Sequence, residues 1–323
     1  MINILIASFK DVDLNNTIKS LINNSKNPNN LKIKILLIED DNIDFELLNN
    51  PIINIIKVSK NNGVGINRKI LTNNLPKNEY VLQLDSHHEF VENWDVMLIE
   101  NYHKLKEKHN KIIISTSLPP LNNINTYTTC FTVPKIFFYT KNGIPTLSCV
   151  CGEPNTETGL ISAHFLFGET SIFDELKYKD YWYFFGEEIL LSMYAFNFGY
   201  KVFTPSEIIG WHKYNSSGIV NRDLKVESKT HKYIISEMNK IYNPNFSNLI
   251  GVDFMNYMCT NRNYNIHDSY GYDVIDILTP NNLKIRLYNQ GEDIVQFSAD
   301  GFFKGAVLYD TKNNKKKYFS LTN

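Results

Sequence analysis

Excess charge of either sign is missing from this chain. Its 33 Lys and Arg against 34 Asp and Glu leave a formal net charge of −1, which gives no electrostatic reason to expect nucleic acid or an acidic membrane as partner. The only basic run, Lys315-Lys316-Lys317, reads as a solvated turn. Long apolar runs are also missing: nothing reaches the ~20 residues needed to cross a bilayer. The opening Met1-Ile-Asn-Ile-Leu-Ile-Ala7 has no basic n-region and reads as a buried first strand, not a signal peptide. Four cysteines (Cys130, Cys149, Cys151, Cys259) are too few and too scattered for a disulfide framework. Cys149 and Cys151 form a lone Cys-x-Cys, which argues against zinc. A reducing, cytoplasmic setting is expected, either host cytoplasm or virion if the chain is viral. No solenoid period is visible.

Apolar substance is plentiful. Hydrophobic residues make up 43% and aromatics 13% of 323 residues, ample to bury one large domain or two ordinary ones. Ile2–Ala7, Ile33–Ile38 and Ile52–Val58 read as buried strands, and Tyr80–Leu84 as a fourth. Between them, Leu14–Asn23 carries Leu14, Ile18, Leu21 and Ile22 on one helical side, and a second helix is expected around Asn67–Asn74 after the Gly63-Val-Gly65 turn. Strands alternating with helices imply an α/β fold with a mostly parallel sheet covered on both faces. Ligands of such sheets sit outside the carboxyl ends of the strands, where Ser8, Asp11, Glu39, Asp40 and Asp85 would converge. Further on, Lys111–Ser117 and Ala163–Thr170 are expected strands, and Ile189–Phe198 a helix ended by Gly199. Asn-rich stretches at Asn23–Asn30 and Asn122–Asn125 mark loops.

The chemistry concentrates in Tyr80-Val-Leu-Gln-Leu-Asp85-Ser86-His87-His88-Glu89-Phe90 and the nearby Trp94-Asp95. In extended backbone, residues i and i+2 project from one face, so Asp85 and His87 are able to hold one ion between them. A carboxylate with an imidazole suits Mn²⁺ or a similar divalent cation better than a thiophilic one. The same residues also fit a helix cap ahead of Glu92–Glu100 and a pair of surface histidines.

Four features then follow in order: Ala7-Ser8-Phe9-Lys10-Asp11, Gly63-Val-Gly-Ile-Asn-Arg68, Leu82-Gln-Leu-Asp85-Ser-His87 with Trp94-Asp95, and Phe185-Gly-Glu-Glu188 before Trp211-His212. This order resembles the cytoplasmic N-acetylglucosaminyltransferases that modify hydroxyproline on a ubiquitin-ligase adaptor, and more distantly the polypeptide N-acetylgalactosaminyltransferases. It covers roughly Met1 to Phe254. The resemblance implies a GT-A fold, a UDP-sugar donor and a divalent cation, usually Mn²⁺, with Asp85, His87 and His212 as its ligands. It further implies transfer, with retention, of a sugar (GlcNAc foremost) to an acceptor hydroxyl on protein hydroxyproline or Ser/Thr. Departures are Asn67-Arg68 where the family has Ala-Arg, no arginine in the helix after Glu188, and an extra His88 after the motif.

Within that frame Glu187 and Glu188 are the catalytic candidates, one binding acceptor or sugar hydroxyls and the other orienting a cation ligand or stabilising positive charge at the anomeric carbon. Both also fit as acids placed favourably at a helix N-terminus. Asp40 is expected at the uracil or ribose, and Ser8 and Asp11 at the same strand edge. Arg68 is expected at the donor diphosphate or in a closing salt bridge, because guanidinium forks match oxyanions. Ser86 supports the turn and does not act as a nucleophile. A GT-A domain is expected over 1–260, a connecting segment over 261–280, and a small antiparallel β unit over 281–323. In the last, Leu283–Tyr288, Ile294–Ser298, Gly305–Tyr309 and Lys317–Leu321 read as strands. Competing readings are action on a glycan or hydroxylysine acceptor, and a silent protein that binds the sugar nucleotide or a glycan without turning it over.

Overall fold

Burial on both sides explains why the first strand is aliphatic nearly throughout. In the computed structural model, which describes residues 1–39, 43–121, 131–139, 144–214, 224–243, 245–246 and four C-terminal strands, β1 (Ile2–Phe9) leads into α1 (Leu14–Asn23). There follow β2 (Leu31–Ile38), the short α2 (Phe45–Leu48), β3 (Ile53–Val58), α3 (Val64–Thr72) and β4 (Tyr80–Leu84). Next come β5 (His88–Phe90), α4 (Trp94–Lys106), β6 (Ile112–Ser115), the hairpin β7 (Phe131–Tyr139) and β8 (Pro145–Gly152), and β9 (Phe165–Glu169). The described part of the α/β region ends with α5 (Ile172–Glu175), α6 (Glu187–Asn197), β10 (Lys201–Phe203), β11 (Gly210–His212) and α7 (Leu224–Lys240).

Seven strands form one sheet in the order β10-β6-β9-β4-β1-β2-β3. It is parallel except at β9, which runs antiparallel to both β4 and β6. The strand period of two divides the core. Ile2, Ile4 and Ile6 pack on one face with Leu14, Ile18 and Leu21 of α1 and Trp94, Leu98 and Tyr102 of α4. Leu5, Leu36 and Val81 face the other layer, with Ile189, Leu190 and Met193 of α6 and Ile234 and Met238 of α7.

Three local expectations shift. The helix expected at Asn67–Asn74 begins at Val64, so Gly65 lies in its first turn instead of in a preceding loop. A Cβ on Gly65 would stand 2.1 Å from the Lys179 carbonyl oxygen, so only glycine lets this helix end approach the 179–183 segment. Val274–Leu278, expected as connecting chain, is strand β12. It is central in an antiparallel sheet ordered β13-β12-β14-β15, with β13 at Lys284–Tyr288, β14 at Gly305–Asp310 and β15 at Lys315–Ser320. The lysine run Lys315-Lys316-Lys317 therefore opens a strand paired with Leu308–Asp310 and is not a turn, because its pairing groups are met across the ladder. The expected strand at Ile294–Ser298 lies outside the described residues, as does Asp40.

Candidate active site

β4 ends at Leu84, and the chain turns through Asp85-Ser86-His87 before β5. This turn is held from α1: the Thr17 hydroxyl donates to the Ser86 carbonyl at 2.9 Å and accepts the His88 N–H at 2.8 Å. β5 then pairs antiparallel with β11, setting His88 opposite His212, Glu89 opposite Trp211 and Phe90 opposite Gly210. Gly210 is required there, since a Cβ would lie 2.3 Å from the Glu89 carbonyl oxygen. The register delivers His212 to the strand end from a distant part of the chain. One ligand atom from each of Asp85, His87 and His212 lies within 4.8 Å of the others.

Each ligand candidate has a distinct setting. His87 Nδ1 lies 2.6 Å from Asp11 Oδ2, an acceptor, so the proton sits on Nδ1 and Nε2 is turned to the cluster. Asp11 also accepts from the Ser86 hydroxyl at 2.6 Å and from the Asp13 N–H at 2.9 Å. Burial opposes the Asp11 charge, but these hydrogen bonds outweigh it and hold the carboxyl at about 2. The Asp85 side chain is 35% exposed and its Oδ2 is 3.8 Å from His212 Nε2, outside hydrogen-bond range. Burial raises the Asp85 pKa, but the neighbouring imidazoles and Arg68 draw it well below the usual carboxylate range. His212 is buried, neither ring nitrogen has a hydrogen-bond partner, and burial chiefly lowers its pKa, favouring the neutral, ligating form.

Arg68 on α3 is buried, and its guanidinium donates to Asp85 Oδ1 at 2.9 Å and to Glu187 Oε1 at 2.7 Å. Burial works against its charge, but the two carboxylates outweigh it. Burial also pushes Glu187 up; with so short a contact to Arg68, we read the pair as ionised. Glu188 is half-buried and accepts from the Ala163 N–H at 2.9 Å and the Ser162 hydroxyl at 3.4 Å. Burial, aided by the Glu187 charge, raises its carboxyl to about 7. Gln83, the polar residue of β4, donates to the Ala163 carbonyl and accepts from the Tyr178 hydroxyl, tying strand, site and α6 approach together. Ser8 is fully buried at the end of β1, paired with Leu37.

Thus Asp11, Ser86 and His87 form one hydrogen-bonded set and Arg68, Asp85 and Glu187 another; the Asp85, His87 and His212 cluster brings the two together, with Glu188 alongside. Asp11 and Ser86 support His87, and the Arg68 donors engage protein carboxylates. Trp94-Asp95 lies away from the ligands: Trp94 Nε1 donates to the Leu21 carbonyl, and the Asp95 carboxylate accepts from the Lys26 and Asn27 amides. The pair clamps the end of α1, and so the turn that Thr17 holds. Sequence reasoning gave no role to Thr17 or to His164, which stacks on His212 at 4.3 Å between ring centroids. A lone histidine directly before the Phe165-Leu166-Phe167 run of β9 was the available signal for His164.

A family model described as Glycosyltransferase (GlcNAc) matches residues 45–232. No curated protein matches the chain in sequence. Among solved structures, GalNAc-T7 with UDP, GalNAc and Mn²⁺ superposes with a TM-score of 0.53 at 12% identity, covering 98% of this chain and 68% of that one. TarS 1-349 of S. aureus in complex with UDP-GlcNAc gives 0.51 at 11% identity, covering 81% and 74%. At such identities the likeness concerns the fold, which is of the GT-A type.

Proposed function

The chain belongs to the GlcNAc glycosyltransferase family, and from that premise we propose that it transfers a sugar, GlcNAc foremost, from a UDP-sugar to an acceptor hydroxyl in a Mn²⁺-dependent reaction. The observation carrying this reading is the convergence of Asp85, His87 and His212 at the end of β4. One carboxylate and two imidazoles match the preferences of Mn²⁺, and the unpartnered nitrogens of His212 are what a ligand awaiting its ion would present. Two structures of like fold carry UDP, GalNAc and Mn²⁺ in one case and UDP-GlcNAc in the other. A bound divalent cation supplies Lewis-acid neutralisation of a departing diphosphate.

The protein's own residues prepare that event. Asp11 fixes the His87 tautomer, as carboxylate partners of ligating histidines do. Glu187 acts through Arg68, which holds Asp85 in place. Glu188, its carboxyl raised to about 7 by burial, is suited to hydrogen-bond a sugar or acceptor hydroxyl. In the retaining course that the resemblance implies, the bond from anomeric carbon to diphosphate breaks as the acceptor oxygen bonds on the same face. The hydroxyl proton passes to a phosphate oxygen. The acceptor we favour is protein hydroxyproline or Ser/Thr, and the setting cytoplasmic.

The test is turnover of UDP-GlcNAc with hydroxyproline, Ser/Thr, hydroxylysine and glycan acceptors, with products read by mass spectrometry. Activity is expected with Mn²⁺, and a fall of at least about 100-fold with chelator or in Asp85→Asn. Activity surviving both would overturn the reading. UDP binding without any transfer would favour the silent binder.

A further inference from the structure

His88 stands outside the family motif, yet it is one of the most deeply buried polar residues of the site, at 2% exposure. Its Nδ1 lies 3.1 Å from the Asp85 backbone carbonyl. A carbonyl only accepts, so Nδ1 carries the proton and Nε2 is left as an acceptor. That Nε2 is buried with no hydrogen-bond partner.

Four histidine rings meet here, and three of them are anchored. His87 donates to Asp11, and His88 donates to the Asp85 carbonyl. His164 accepts the Leu118 N–H through Nε2 and bonds the Ser162 hydroxyl through Nδ1. Only His212 has both nitrogens unpartnered. Its Nε2 is the atom toward Asp85 Oδ2, so in the ligating tautomer Nδ1 bears the proton and needs a buried acceptor. His88 Nε2 is an acceptor without a donor. The two residues are directly opposed in the β5–β11 ladder, which puts both side chains on one face, with ring centroids 4.7 Å apart and planes at 52°. Trp211 Nε1, another buried donor without a partner, belongs to the adjacent position and so to the other face of the ribbon. His88 is not itself in the ligand cluster defined by mutual approach within 4.8 Å.

We propose that His88 is a positioning residue: its Nε2 accepts the Nδ1 proton of His212, fixing His212 in the tautomer whose Nε2 lone pair faces Asp85 and His87. The bond is not made in this structure, where both atoms lack a partner. Here one histidine does for the third ligand what Asp11 does for His87. This rests on the metal-site reading above.

Binding of Mn²⁺ alone to the full chain, followed by calorimetry and by the loss of free-ion electron paramagnetic resonance signal, tests it. His88→Phe keeps a ring but removes the acceptor, and is expected to weaken Mn²⁺ binding about 10- to 100-fold. His88→Gln restores an acceptor and is expected to recover affinity to within a few-fold. Parent-like binding by His88→Phe, or equal loss in His88→Gln, overturns the proposal. Failure of the parent to bind Mn²⁺, or parent-like binding by His87→Ala, would instead sink the metal site itself. Should His88→Phe not fold, ¹⁵N NMR of the metal-free parent still decides: His212 is expected as the Nδ1–H tautomer, and an Nε2–H signal overturns the role of His88.

Discussion

At the scale of single residues, the site is organised around a few buried groups whose charges depend on one another. Arg68 neutralises Glu187 and steadies Asp85, so its loss strands a buried carboxylate. Arg68→Met is expected to lower stability by about 3–5 kcal/mol in urea denaturation, far more than Lys69→Met on the exposed side of the same helix. Glu188 makes a prediction of opposite character. Its folded pKa of about 7 lies above the ordinary carboxyl value of 4.5, so its proton stabilises the fold at acid pH. That stability is complete below about 4.5 and is lost as pH rises through about 7. Glu188→Gln removes the loss. Relative to the parent, it should gain about 1–3 kcal/mol between pH 5 and pH 8, while transferase turnover falls if Glu188 contacts the reacting sugar. Denaturation at the two pH values and a single-turnover assay read both effects.

At the scale of elements, the ribbon β5–β11 governs whether the third ligand arrives. Gly210→Ala places a methyl group against the Glu89 carbonyl and must part the two strands. It is expected to cost about 1–3 kcal/mol and to weaken Mn²⁺ binding at least about 10-fold, measurable by calorimetry. Parent-like binding would show that the ribbon tolerates the shift. Helix α7 seals the opposite core layer. Its Glu237 accepts from Tyr181 and Trp182 of the aromatic block before the acidic pair and from Tyr194 of α6 after it. On the same helix His231 is buried, and burial lowers its pKa to about 4. The unfolded chain therefore takes up this proton first, and stability falls as pH drops from about 6.5 to about 4. His231→Gln should reduce the loss between pH 7 and pH 5 by about 1–2 kcal/mol, read by urea denaturation.

For the whole molecule, binding is linked to folding. Saturating UDP with Mn²⁺ at about 100 times the dissociation constant adds about 2.7 kcal/mol to stability. A rise of roughly 5 °C in melting temperature is expected, reversed by chelator and absent in Asp85→Asn. The family match over residues 45–232 spans the ligand turn, the Arg68 helix, the acidic pair and His212. The antiparallel sheet β12–β15 is not hydrogen-bonded into the seven-stranded sheet. Its central strand, Val274–Leu278, pairs with β13 and β14, both later in the chain; the Thr279-Pro280-Asn281-Asn282 turn signal after it was legible, but its partners were not.

The sequence by itself determined the α/β alternation, the strand that leads into Asp85 and His87, and the order of motifs that marks the family. These are local: side-chain period and nearest-neighbour spacing are written in consecutive residues. Only the tertiary structure decided that Asp11 and Ser86 serve His87, that Arg68 bridges Asp85 and Glu187, and that Thr17, His88 and His164 surround the ligands. Those contacts join residues far apart in the chain, across a sheet whose strand order departs from chain order. Register and burial, not propensity, select which polar atoms meet there.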